Sequence, residues 1–334
     1  MSPTNLHTSN RVTLRQFITG PSRFLHVLGV LCVSLVLIAC QAPGNDRDVR
    51  TGPDSPELVD VNQRVIAYAR QAADRAPYRP PSAADRERLA RGVGRLLDGD
   101  RPGAERALAD AGFRVTRLTD AVSGRRYDEV AARGSGPEAR WGRLYVSAGA
   151  GIRWSVQVPH PVADRHTEDL GARLLEDTPQ GALVLAGAHR TAGRGDAADV
   201  AHRTDSAFHA IVRELQKRDV PGVQLHGFAQ TRSRPYDAVV STGAARASTE
   251  DAARLAALME SRDLRVCRAW SAPCPLEGTT NVQGRSAQRH GAPFLHVELA
   301  PKARSAAPET REATRARTAL ATLLSTWTAE RDNR

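Results

Sequence analysis

Lysine is nearly missing from this 334-residue chain: Lys217 and Lys302 are the only two, so almost all of the 47 basic residues are arginine. Aromatics are also scarce, at 4%, and no basic run is interleaved with them. That argues against the charged, stacking surface on which single-stranded nucleic acid is bound. The net charge of +10 leaves a basic surface suited to anionic material. No G-x-S-x-G turn is found, and no glycine-rich loop opens a helix. A serine-hydrolase elbow and a nucleotide phosphate loop are therefore excluded. The apolar, uncharged run over residues 24–39 is shorter than the roughly 20 residues that span a bilayer.

The N-terminal end carries a different signal. Arg11, Arg15 and Arg23 precede an uncharged apolar run over residues 24–39, and no acid occurs before it. That layout predicts an export signal over residues 1–39. The run closes in Leu37-Ile38-Ala39-Cys40, which resembles the lipobox of bacterial lipoproteins. The resemblance implies cleavage after Ala39 and a lipid on the Cys40 thiol. Gln41 rather than Asp follows, so the expected address is the periplasmic face of the outer membrane. Residues 40–56, polar and rich in Pro and Gly, read as a flexible tether.

With Cys32 in the signal and Cys40 lipidated, only Cys267 and Cys274 remain, too few for a cysteine-only zinc site. An oxidising compartment permits a disulfide between them; two free thiols are the alternative.

Residues 57–98 read as a helical lead: apolar residues fall at helical spacing over 57–74 and 83–97, broken by Pro77, Pro80 and Pro81. Residues 104–111 look helical and end at Gly112. Short alternating runs then predict strands at 113–118, 126–131, 142–147 and 154–158. Beyond Pro159, helices (170–176, 206–217, 249–261, 310–328) alternate with strands (182–186, 223–226, 238–241, 264–267, 293–299). The order predicts an α/β domain over residues 99–330, with a mixed central sheet between two helical layers.

The eight histidines that follow the lipobox all lie between His160 and His296. His226 ends the strand-like V-Q-L-H-G-F-A-Q of residues 223–230. The end of a strand in an open α/β sheet is where a catalytic group or metal ligand is presented. His160 follows another predicted strand in Val158-Pro159-His160-Pro161, with Asp164 and Glu168 behind it. Two imidazoles and one carboxylate form an open zinc set that leaves a fourth position for water. The acid is Asp164 or Glu168, with Asp164 favoured. Glu298 lies between Val297 and Leu299 in a predicted core strand, an odd place for a charge without a chemical role.

The segment L-H-G-F-A-Q resembles the L-H-S-Y-S-Q strand of zinc carboxypeptidases, whose histidine is the second histidine ligand. The spacing His160-x-x-x-Asp164 departs from the H-x-x-E of that family. It looks closer to the related poly-γ-glutamate hydrolases and N-formylglutamate amidohydrolases. The resemblance implies one Zn²⁺ per chain held by His160, Asp164 and His226, with Glu298 as the general base. It implies Arg190, in Gly187-Ala188-His189-Arg190, and more weakly Arg304, as clamps for a substrate carboxylate. His189, Asp199 and His202 are candidates to orient the ligand imidazoles, and residues 279–284 to line the pocket. The expected reaction is hydrolysis of an amide in an anionic peptide, γ-glutamyl or N-acyl amino-acid substrate, with cell-wall peptides as a supply. A lipoprotein that binds an anionic ligand on the same fold without turnover is the alternative. Arg289-His290-Gly291 matches the triplet of histidine phosphatases, but it is expected in a loop near the C-terminus, where that chemistry has no strand to start from.

Overall fold

The computed structural model describes residues 55–73, 77–149, 151–245 and 248–332, all within the unit that begins at Thr51. The expected signal segment, Cys40 and nearly all of the tether lie outside the described residues.

A ten-stranded sheet runs in the order β1-β2-β3-β4-β6-β5-β7-β10-β8-β9. Its strands are β1 (Glu57–Val59), β2 (Phe113–Asp120), β3 (Arg126–Ala132), β4 (Arg143–Ser147), β5 (Trp154–Val158), β6 (Gly181–Leu185), β7 (Gly222–Gly227), β8 (Ala238–Ser241), β9 (Val266–Arg268) and β10 (Phe294–Leu299). The central four, β6-β5-β7-β10, are parallel, and β2, β3 and β4 form an antiparallel meander beside them. On the other flank β8 runs antiparallel to β10. The sheet is mixed, as the sequence predicts.

Helices cover both faces. On one lie α1 (Val61–Ala72), α4 (Thr167–Asp177), α6 (Thr249–Glu260) and α8 (Arg311–Asp332). On the other lie α2 (Ala83–Leu97), α3 (Arg101–Ala109), α5 (Ala207–Gln216) and α7 (Val282–His290). Among the described residues no helix is long and apolar enough to cross a membrane.

Local chemistry sets the helix starts. Asp60 accepts from the Gln63 amide and opens α1 at Val61, so the expected helix from residue 57 yields its first residues to β1, an edge strand paired in parallel with β2. Ser82 and Asp85 form a capping box at α2. The α7 helix is a departure from the loop expected there: its only aliphatic residues are Val282 and Ala287, too few for a periodic signal. It starts because Asn281 accepts from the Gln283 and Gly284 amides, and ends because Gly291 takes φ +71°. Arg289-His290-Gly291 is thus a helix C-terminus rather than a loop.

Strand alternation then sorts the sheet into two chemistries. Val156, Val223, Leu225, Leu295 and Val297 join the apolar core under α1, α4, α6 and α8. Between them, Gln157, Gln224, His226, His296 and Glu298 face the other way, buried and polar. The chain leaves β5 through α4 to reach β6, then returns through α5 to β7 on the other side of β5. That reversal opens a crevice at the C-terminal ends of the parallel strands.

Candidate metal centre

Four strand ends supply the centre. His160 follows β5, Arg190 follows β6, and His226 and Glu298 lie one residue from the ends of β7 and β10. The β7–β10 register sets Glu298 opposite His226 and His296 opposite Gln224, so all four share one face.

The loop after β5 folds on itself. The Asp164 amide donates to the His160 carbonyl at 2.9 Å, which brings the two side chains together. Val162 takes φ +67° and His166 φ +70°, a left-handed backbone that is a genuine outlier for a β-branched residue. Strain of this kind collects where a loop's shape serves a site. Glu168 braces the loop from the first turn of α4, accepting from the Val162 amide at 3.5 Å. Of the two candidate acids, it is Asp164 that reaches the histidines.

Asp164 Oδ2 stands 3.1 Å from His160 Nδ1 and 3.3 Å from His226 Nδ1. The other nitrogen of each ring is already committed. His160 Nε2 meets Asp199 Oδ1 at 2.8 Å, and His226 Nε2 meets Gln224 Oε1 at 2.8 Å. Both acceptors lack a hydrogen to give, so each Nε2 carries the proton and each Nδ1 is left with a lone pair. Those lone pairs face a carboxylate, which also only accepts. Three electron-rich atoms converging in a buried place want a cation between them, so the donor set fits a divalent metal. Asp199 and Gln224 are the outer partners that hold such imidazoles in the right tautomer.

Burial alone would raise the Asp164 carboxyl, but the adjacent His160 and His226 rings outweigh it and hold the pKa well below the usual carboxylate range. Burial drops His226 to about 4. At His160, burial is overcome by the two carboxylates Asp164 and Asp199, which raise the pKa. Glu298 is pushed up to about 8 by burial first and by the Asp164 charge second.

The centre opens into a cavity of about 230 Å³, whose walls include His160, Arg190, His226, Asn281, His296 and Glu298. A larger cleft of about 620 Å³ lies between α2 and α5 and shares none of these residues.

The candidate clamps differ in placement. Arg190 lines the cavity; its Nη2 donates to Asp199 Oδ2 at 2.7 Å, and Nη1 stands 3.3 Å from His160 Nδ1. Arg304 is not among the lining residues. Its Nε donates to the Leu299 carbonyl at 3.0 Å and its Nη1 to the Arg165 carbonyl, tying the end of β10 to the loop that carries Asp164. In this placement the expected clamp at Arg304 braces the two segments. Of the three residues expected to orient imidazoles, Asp199 does so; His202 lines the cavity, and His189 Nδ1 turns to Thr191.

Two residues were not singled out by the sequence. His296 stacks on His226 with ring centroids 4.4 Å apart, and its buried Nδ1 has no hydrogen-bond partner among the described residues. One ligand atom each from His226, His296 and Glu298 also fall within 4.8 Å of one another. Gln224 accepts from His226 and from the Asn281 amide, and donates to Gln157 at 3.2 Å and Gln283 at 3.4 Å. The available signal was the spacing of two: Gln224 before His226, and His296 before Glu298, each pair on one face of a strand.

The loop before α7 closes the site from the side. Cys267 and Cys274 are joined in a disulfide at the base of that loop. Further along, Gly278 holds φ +67°, and a Cβ there would meet the His296 ring at 2.5 Å. Only glycine fits.

No protein-family model and no curated protein matches the chain. Solved structures do. An N-formylglutamate amidohydrolase from Ralstonia eutropha JMP134 is 13% identical, covering 57% of this chain and 98% of its own, with a TM-score of 0.40. A succinylglutamate desuccinylase from Vibrio parahaemolyticus is 12% identical over 64% of this chain and 67% of its own, with a TM-score of 0.39. A metallo-carboxypeptidase from Pseudomonas aeruginosa is 17% identical over 76% of this chain and 70% of its own, with a TM-score of 0.34. Likeness at this level carries no residue roles, and the reading of the centre rests on its own geometry.

Proposed function

We propose that this protein is a zinc-dependent hydrolase of an amide bond in a small anionic peptide, γ-glutamyl or N-acyl amino-acid substrate. The observation that carries the reading is the convergence of two lone-pair-bearing Nδ1 atoms, from His160 and His226, on the Asp164 carboxylate, with both Nε2–H groups held from behind. His160, Asp164 and His226 would hold one zinc ion. When bound, zinc would act as a Lewis acid, polarising the scissile carbonyl and making water a better nucleophile.

The remaining work falls to the chain's own groups. The Glu298 carboxylate would take a proton from the attacking water as the C–O bond forms, and return it to the leaving nitrogen as the C–N bond breaks. Its raised pKa favours holding that proton between the two steps, and a neighbouring cation would favour the ionised form needed to begin. Arg190, anchored by Asp199 on the cavity wall, would hold a substrate carboxylate. A cavity of about 230 Å³ suits a substrate of one or two residues. Export and lipidation at Cys40 would place this activity on the periplasmic face of the outer membrane, where cell-wall peptides are one supply.

Elemental analysis of protein purified without chelator tests the reading. About one zinc per chain is expected, lost in His226→Ala. Wild type that takes up no zinc even when it is added back would sink the hydrolase. Zinc bound without turnover of any amide offered would move the assignment to a binding lipoprotein.

A further inference from the structure

The cleft of about 620 Å³ between α2 and α5 plays no part in the chemistry above, and its charges do not balance. Six cationic side chains line it (Arg86, Arg91, Arg95, Arg213, Lys217 and Arg218) against three acids, Glu87, Asp98 and Glu214. Two of the acids are already used: Glu214 takes Lys217 at 2.5 Å and Arg218 at 3.0 Å, and Asp98 takes Arg218 at 2.7 Å. Arg95 turns to Asp100 at 2.9 Å. Arg91 and Arg213 have no anionic partner among the described residues, and Arg86 donates to the Pro81 and Asp205 carbonyls rather than to an acid. Only the exposed Glu87 remains against three guanidiniums.

The space between the helices is made by small residues. Ala83, Ala90 and Gly94 fall on one side of α2, opposite Ala210 on α5. Gly94 is there despite costing a helix interior about 1 kcal/mol relative to alanine; a Cβ would lie 3.1 Å from both Glu214 Oε2 and Arg218 Nη2. The lining also includes His209, which is nearly fully buried. Its Nδ1 accepts from the Gln283 amide at 3.3 Å, so Nε2 bears the proton and has no hydrogen-bond partner among the described residues. The field there is positive: after burial, the groups that drive the His209 pKa down to about 4 are Arg213, Arg289, His290 and Arg86, cations or potential cations throughout.

We infer that this cleft binds a small molecule bearing two or more phosphate or carboxylate groups, with the Arg91 and Arg213 guanidiniums as its forks and His209 as a neutral donor. Planar guanidiniums recognise both kinds of oxyanion in pairs of hydrogen bonds. A cavity of several hundred Å³ is the size that encloses a small ligand. The inference does not depend on the metal centre.

Isothermal titration of the purified chain with inorganic pyrophosphate, and separately with tricarballylate, tests it. Saturable one-to-one binding is expected, weakened about tenfold or more in Arg91→Gln/Arg213→Gln. A charge-matched Arg114→Gln/Arg133→Gln variant, altered on the exposed β2–β3 hairpin, should bind as wild type does. Tighter pyrophosphate would point to a phosphate-bearing ligand, and tighter tricarballylate to a polycarboxylate; either supports the site. Equal loss in both variants would mean that general surface charge attracts the anions, and would overturn the proposal. So would the absence of saturation with either probe.

Discussion

Gln224 and His226 stand two residues apart on β7, joined by a hydrogen bond of 2.8 Å from His226 Nε2 to Gln224 Oε1. The amide cannot turn over, because Asn281 donates to the same oxygen while Gln157 and Gln283 accept from the amide nitrogen. A locked acceptor locks the tautomer, and a locked tautomer points the Nδ1 lone pair at Asp164. Replacing Gln224 by Leu should lower zinc affinity about 10- to 100-fold, the range typical of lost outer partners. Chelator competition measures this without reference to activity. Gln224→Glu, which keeps an acceptor at that place, should restore most of the affinity; equal loss in both variants would mean that packing alone is at stake.

A variant at Glu298 can separate proton transfer from metal holding. Glu298→Gln keeps the shape and removes the proposed base, so turnover of a responsive amide substrate should fall about 10²- to 10⁴-fold. Zinc content by elemental analysis should stay at the wild-type level. Loss of the metal together with activity would make Glu298 a ligand, a role its closeness to His226 and His296 also permits.

The pH dependence of the metal-stripped chain follows from the same residue. Burial and the Asp164 charge raise Glu298 to about 8, against about 4.3 in an unfolded chain. Across that interval the folded state keeps a proton that the unfolded state has released, so stability falls as pH rises. His226, held at about 4 by burial, acts in the opposite sense up to the unfolded histidine value of about 6.5. Above that point Glu298, the raised His160 and Glu176, which burial pushes up to about 7, all lose stability with rising pH. Between about pH 6.5 and 8, the Glu298 share is about 2 kcal/mol. Urea midpoints should therefore fall more steeply over this range in wild type than in Glu298→Gln. Parallel curves would contradict the assignment.

The legible parts of the fold were those whose cause is local. Alternation marked β5, β7, β8 and β10 to within a residue at either end, and the succession of helices and strands after Pro159 predicted the mixed sheet. The α7 helix and β1 were missed for opposite reasons. The helix is set by Asn281 and Gly291 rather than by an apolar stripe, while β1 exists only because Leu118 and its neighbours, some sixty residues on, offer an edge. His160, Asp164, His226 and Glu298 stood out because each is a polar residue at the end of an apolar run. Gln224 and His296 sit equally deep, but a glutamine in a strand has no meaning until Gln157, Asn281 and Gln283 arrive from elsewhere to fix it. For Arg304, a positive charge near a carboxylate strand suits a clamp or a brace equally well in one dimension.

The two arginines can be told apart by what their loss disturbs. Arg190 lines the cavity and is about one-third exposed, so Arg190→Gln should raise KM for an anionic substrate and leave stability within about 0.5 kcal/mol. Arg304 is buried, and its guanidinium satisfies the Leu299 and Arg165 carbonyls. Gly227 makes room for it, since a Cβ there would come within 2.4 Å of Arg304 Nε. Arg304→Met fills part of the volume but leaves both carbonyls without their donor, at a cost of about 2 to 4 kcal/mol. Because those carbonyls flank Glu298 on one side and Asp164 on the other, the variant should also loosen zinc while leaving KM for the zinc-saturated enzyme close to wild type. Chemical denaturation with substrate titration would read both effects; a large rise in KM with stability unchanged would return Arg304 to the role of a clamp.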